Sequence, residues 1–450
     1  MSNNISTGEG LPTLCETAAA LAEGRTSSRA LVEQALARID DPAGEGRRVF
    51  ISVHRTRAAA EAEISDRLIG LQRPRSALEG IPVSIKDLMD ERGVVTTAGS
   101  TVLRDAAPAA SDAPVAARLR AAGAIIIGRT NMSEFARSGI GLNPQYGTPA
   151  NPWDRAARRI PGGSSSGAAV SVTDRMALAA VGSDTGGSVR IPAALCGITG
   201  FKPTQAAVSR QGVFPLSTSL DSIGPLAPSV ACCITMHTIM ADRALPPIAP
   251  LPLAGMRLAV ARARLCENLD ADVSAAFAAA LTKLSAAGAR ITEVDFPALV
   301  RTPPLKSMRV LSLPEAYAAH RPLLHRHAEY DQSLVGDLLT AGSISAADYV
   351  DMLRLRASIK AQVAEEFRDY DAVLSPTVPC IAPVIATMEA ARDLGGRMGR
   401  NTFVINFIDG CALSIPCHAP GSAPVGLMVS GAGGADEAVL RVGLAIEAAL

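Results

Sequence analysis

A chain of 450 residues in which 43 basic side chains balance 43 acidic ones, with no basic run and no interleaving of basic and aromatic residues, has no electrostatic footprint for nucleic acid. Its 48% hydrophobic and 19% charged content excludes a disordered chain, and with only 3% aromatics the core must be built from small aliphatics in close helix–sheet contact. No run of about 18 apolar residues is present, and Met1–Ser6 has neither the basic nor the apolar region of a secretory signal, so a cytoplasmic protein with no membrane span is expected.

Residues 11–40 predict two helices split at Gly24, the second capped by Ser27 or Ser28 with Leu31, Ala35, Leu36 and Ile39 on one face. Residues 57–72 predict a further amphipathic helix, and 80–86 a short buried strand running into a loop. A helix over 114–122 stops at Gly123, and the apolar run 124–128 reads as a strand bounded by glycines. Another apolar strand is expected over 175–181. This alternation predicts an α/β fold: a mixed, mostly parallel central sheet with helices on both faces. After a proline-rich connector at 245–252 come a strand (256–261), a helix (273–287) and a strand (289–296). Residues 313–370 are mostly helical, 371–374 is a strand, and a last helix starts near Asp436. The connector reads as a crossing loop inside one large domain spanning 1–450.

The eight cysteines include the adjacent pair Cys232–Cys233 but no C-x-x-C, and read as small buried residues, not a disulfide or zinc framework. The six histidines are scattered, so neither a metal nor another cofactor is expected. Dimerisation is compatible with the sequence, but no residue argues for it.

Only five lysines occur beside 38 arginines, and one, Lys86, ends the apolar run Gly80–Asp87. Arginine cannot release its proton in a protein, whereas a buried lysine can be driven neutral. Lys86 is therefore a candidate general base. Two serine–glycine clusters follow, at 162–167 and 184–188. The first contains G-x-S-x-G with Ser165 at its centre, but loop sequence precedes it where a nucleophile elbow needs a strand. A phosphate-cradling loop would need a lysine that is absent. The second cluster follows an apolar strand, and its successive small residues let backbone N–H groups converge beside Ser188. Acyl transfer needs that arrangement.

The ordered set of motifs resembles the amidase signature family. Gly80–Asp87 carries the lysine; Gly128–Phe135, Pro161–Gly167, Gly182–Pro192, Gly197–Thr204 and Asp221–Pro225 follow in family order, and Ser375–Thr377, Asn401–Pro416 and Pro424–Leu427 fit its closing elements. The resemblance spans nearly the whole chain and is densest over 80–225, in a catalytic core of about 75–230. It implies Lys86 as base, Ser164 as a bridging serine held by a cis peptide, and Ser188 as nucleophile. Thr185, Gly186 and Gly187, with Ser188, would donate to the oxyanion. Asp184 and Arg190 are expected to support the turn, and Asn131 and Ser133 are candidates for the pocket wall. The walls are otherwise expected from the divergent segments 89–120 and, above all, 300–400.

The implied substrate is a small-molecule amide or related acyl–nitrogen compound. No histidine lies in any motif, so Lys86 must be neutral to act, yet under about 1% of a solvated lysine is neutral at pH 7.5. Lowering its pKa by about 3 units requires burial worth roughly 4 kcal/mol. Pro314–Pro322 and Ala347–Tyr349 look like the free-standing amidases of the family. The alternatives are the amidase component of a glutamine-dependent tRNA amidotransferase and a non-catalytic protein on the same scaffold. No triad position is substituted, which argues against the latter.

Overall fold

Val83 of the run 80–86 and Ile126 of the run 124–128 lie side by side in parallel strands, both fully buried. The computed structural model in which they do so describes residues 10–390 and 395–450; Met1–Ser6 lies outside the described residues. In chain order the strands are β1 (Phe50–Val53), β2 (Pro82–Lys86), β3 (Ile125–Thr130), β4 (Ala179–Asp184), β5 (Thr199–Lys202), β6 (Ser222–Ala227), β7 (Arg257–Ala261), β8 (Arg290–Val294), β9 (Ala372–Pro376), β10 (Cys411–Pro416) and β11 (Gly426–Gly431). They form one sheet in the order β1-β3-β2-β4-β6-β5-β10-β11-β9-β7-β8.

Alternation along the strands feeds both faces, as a period of two requires. Ile126 of β3 packs into one apolar cluster with Val83, Val181 and Leu258, while Ile125 and Ile127 enter another with Ala168, Ala180 and Val189. Leu258 and Val260 of β7 likewise separate from Ala259 and Ala261, which join Phe403 and Phe407. Helices therefore cover both faces of the sheet, as expected.

The sheet is mixed, but not mostly parallel. Parallel pairing is confined to β3-β2-β4 and β9-β7-β8, and the other six neighbouring pairs are antiparallel. The extra antiparallel strands β5, β6, β10 and β11 come from segments whose glycines, serines and prolines hide a strand pattern. The strand expected at 175–181 begins later, because Arg175 takes a left-handed φ of 55° after the helix Ser166–Thr173. It then runs on through Gly182 and Ser183 to Asp184, held extended by antiparallel β6.

The first helices form where expected: Leu14–Ala22, then Ser28–Asp40 with Ser27 as N-cap, its side chain accepting from the Ala30 N–H. The helical region of the second half comprises Leu305–His320, Gln332–Thr340 and Ala346–Phe367. No helix among the described residues is long and apolar enough to cross a membrane. The eight cysteines are unpaired, but Cys15 is exposed and Cys266 and Cys417 are half-buried, so burial does not account for all of them.

Candidate active site

Lys86 is the last residue of β2, between parallel β3 and β4, and has no solvent exposure. Asp87, directly after it, is tied to Arg129 of β3 at 2.6 Å and accepts from the Gly99 N–H, so the strand end is fixed. The Lys86 Nζ donates to Ser164 Oγ at 2.6 Å and to Ser183 Oγ at 2.8 Å. Burial depresses the ammonium to about 7, against the opposing pull of Asp184 and Asp221.

Ser164 stands in the loop before the helix Ser166–Thr173, and its peptide bond to Gly163 is cis. Its carbonyl accepts from the Ser133 N–H at 3.1 Å, and the neighbouring Ser165 N–H donates to the Ser188 carbonyl at 3.3 Å. Those bonds dock the first serine cluster on the second. The cluster can lie against β4 because Gly182 has no side chain: a Cβ there would sit 2.7 Å from Ser165 Oγ.

The second cluster is a turn wound about Asp184, at the end of β4. Its carboxylate accepts the Gly187 N–H at 2.7 Å and the Val189 N–H at 3.1 Å. It also receives Arg190 Nε at 3.1 Å and a terminal guanidinium nitrogen at 3.0 Å. Burial alone would raise the Asp184 pKa, but the Arg190 charge and hydrogen bonds, with Lys202 and Asn406, hold it far below the usual carboxylate range. Arg190 is fully buried and also donates to the Thr402 carbonyl and Asn406 Oδ1. Both residues thus bind the turn, and Ser188 lies within it, between the Gly187 and Val189 N–H groups that Asp184 holds.

Of the expected oxyanion donors, Gly187 differs: its N–H is taken by Asp184. Thr185, Gly186 and Ser188 line the adjoining cavity. Thr185 Oγ1 donates to Asp221 at 2.5 Å, and Asp221 also accepts the Leu216 and Ser217 N–H groups. Burial pushes Asp221 up to about 6. Among the described residues, the Ser164 and Ser188 hydroxyls share no hydrogen bond.

The cavity that Ser188 borders holds about 810 Å³, within the range of small-molecule sites. Ser133 lines it. Asn131 does not: its carboxamide is used by the Arg48 and Gly147 carbonyls and the Met132 N–H. The segment 300–400 supplies much of the wall, from Pro304 to Ala316 and from Asp331 to Asp337, but 89–120 supplies none of the described lining. In its place stands 133–142, the stretch after β3.

Three contributors escaped the sequence reading. Ser183, the second acceptor of Lys86, looks like one more small residue of its cluster; the clue is a hydroxyl inside a buried strand beside the lysine strand. Thr402 and Asn406, on the helix Arg400–Phe407, reach the turn from more than 200 residues away. Thr402 Oγ1 donates to the Gly186 carbonyl at 2.7 Å, and Asn406 Nδ2 to the Asp184 carboxylate at 2.9 Å. No local pattern marks such pairs.

The sequence profile of the family described as Amidase matches residues 30–440. A glutamyl-tRNA(Gln) amidotransferase subunit from Anaeromyxobacter sp. (strain K) is 34% identical over 96% of this chain and 95% of its own. A 2-amino-5-chloromuconic acid deaminase from Comamonas testosteroni is 34% identical over 87% of this chain and 86% of its own. A solved amidase structure superimposes with a TM-score of 0.88 at 32% identity, covering 98% of this chain and all of that one.

Proposed function

The chain belongs to the amidase family, hydrolases of carbon–nitrogen bonds, and from that premise we propose that it is a free-standing enzyme cleaving a carboxylic amide or related acyl–nitrogen bond of a small molecule. The observation that carries the reading is the buried Lys86, depressed to about 7 and 2.6 Å from Ser164 Oγ. The whole chain acts as one amidase domain, with its catalytic core near 75–230.

Neutral Lys86 accepts the Ser164 proton as Ser164 accepts that of Ser188, and Ser188 Oγ attacks the carbonyl carbon. The Thr185, Gly186 and Ser188 N–H groups stabilise the oxyanion, each such donor being worth about 2.7–4 kcal/mol in other enzymes. Ser164 then protonates the leaving nitrogen and regains a proton from Lys86; the C–N bond breaks and leaves an ester on Ser188. Water, deprotonated by the same relay, attacks that ester, releases the acid and restores the serine.

The test is a panel of aryl, aliphatic and urea-type amides, read by ammonia or amine release and by mass spectrometry of the rapidly quenched enzyme. An acyl adduct on the Ser188 peptide, absent from Ser188→Ala together with turnover, is expected. An adduct elsewhere, or normal turnover by Ser188→Ala, overturns the assignment.

The similarity to a glutamyl-tRNA(Gln) amidotransferase component supports a second reading, in which the chain releases ammonia from glutamine inside a complex. Glutaminase activity that emerges only on adding the other components of such a complex would favour it.

A further inference from the structure

One part of the cavity wall has no role in the chemistry above. Arg137 follows the Glu134–Ala136 turn, Arg309 lies in the helix Leu305–His320, and Asp337 lies in the helix Gln332–Thr340; all three line the cavity that Ser188 borders. The Asp337 carboxylate accepts from a terminal nitrogen of Arg137 and from one of Arg309. Two guanidinium groups thus share one carboxylate. The Nε–H of each arginine is buried and has no partner among the described residues.

The other acids of the wall do not offset this surplus of donors. Glu134 accepts from Ser100 Oγ, Gln145 Nε2 and the Asp331 N–H at 2.6–2.7 Å. Asp331 accepts from the Ser333 N–H and hydroxyl, capping its helix. Their oxygens serve protein donors, whereas each guanidinium has five N–H groups in a planar fork that matches a carboxylate. The Arg137 and Arg309 side chains keep 25% and 31% exposure, so a carboxylate entering the cavity can reach the outer N–H groups of both forks. A neutral amide gives no reason for two arginines in the wall.

Resting on the amide-hydrolase reading, we infer that the substrate carries a carboxylate remote from its scissile amide, and that Arg137 and Arg309 bind it. The substrate class is an anionic amide: a dicarboxylic acid monoamide if the carboxylate is on the acyl side, or an N-acyl amino acid if it leaves with the amine.

The experiment compares matched pairs. Malonamate, succinamate, glutaramate and adipamate are each set against the neutral alkanamide of equal length, and N-acetyl amino acids against their N-acetyl alkylamine counterparts. At least one wild-type pair is expected to show kcat/KM about tenfold or more in favour of the anion, with the difference mainly in KM and shrinking as salt is raised. Arg137→Gln and Arg309→Gln should each bring that ratio towards one, and Asp337→Asn should increase it. The same pairs are titrated calorimetrically into Ser188→Ala protein, so the preference is read without turnover. If no amide is cleaved but anions still bind preferentially, the hydrolase reading fails and the carboxylate site stands. Equal kcat/KM and equal binding across every pair, or a ratio untouched by both arginine variants, overturns the carboxylate site and leaves the hydrolase reading intact.

Discussion

Ser183 of β4 accepts a hydrogen bond from Lys86 at 2.8 Å, almost as short as the one the lysine makes to Ser164. The lysine is therefore held by two hydroxyls, one from the relay and one from the neighbouring strand. Ser183→Ala removes the second. A hydrogen bond to a charged group contributes about 1.5–3 kcal/mol, so the looser lysine should lower kcat by about tenfold with KM little changed. Because Ser183 favours the protonated amine, its loss should also move the acid limb of the pH–rate profile to lower pH. Steady-state kinetics from pH 5 to 9 checks both, and an unmoved limb with normal kcat would remove Ser183 from the site.

The acid limb itself follows from burial of Lys86. Only the neutral amine can take a proton, so kcat/KM should fall tenfold per pH unit below about 7 and level off above it. The Asp221 charge pulls the lysine pKa upward, so Asp221→Asn should move the limb to lower pH.

Stability carries the same signature. Lys86 titrates near 7 in the folded chain and near 10.5 when free, so between those values the unfolded state keeps a proton that the folded state has lost. The Lys86 contribution to stability should therefore rise between pH 7 and 10.5, by a total of about 5 kcal/mol at 1.36 kcal/mol per unit, whatever the buried thiols do in the same range. Lys86→Met is inactive but lacks this dependence. Its stability relative to wild type should be greatest below pH 7 and decline steadily towards pH 10.5, as denaturant titrations across that range would show.

Gly187 has a φ of 125°, and a Cβ added to it would meet Thr402 Oγ1 at 2.2 Å. Gly187→Ala should displace the turn from the helix Arg400–Phe407 and shift the oxyanion donors, reducing kcat by at least about a hundredfold. Circular dichroism should show the fold retained, and a variant with near-normal kcat would mean that the turn is not held as described.

Lys86 and the cluster that carries Ser188 stood out because their residue types limit the chemistry, a lone lysine after an apolar run and small residues that let backbone approach backbone, whereas Ser164 was singled out from Ser165 only by the family resemblance. Helix boundaries were equally legible at Ser27 and Gly123, where a cap or a left-handed residue ends the pattern. What escaped depends on the meeting of distant segments. β5 and β10 are strands because each pairs with a neighbour on both sides, not because of their composition. Asn131 looked like a pocket residue by its place in a motif, but three backbone groups use up its amide. The Gly187 N–H could be assigned to the oxyanion only until Asp184 was seen to take it. Arg137 and Arg309 could not be paired in advance, because they share nothing but Asp337.

The helix Arg400–Phe407 has a consequence for the order in which the site is made. Lys86, Ser164 and Ser188 are all translated by residue 188, but the turn that presents the last of them is clasped by Thr402 and Asn406, and β5 beside it is completed by β10. A ribosome-bound chain that has emerged as far as the exposed connector at 245–252 holds the reactive groups without the clasp. That connector is the natural place to cut the chain into a complementation pair, in which neither half is expected to turn over an amide until the two are mixed.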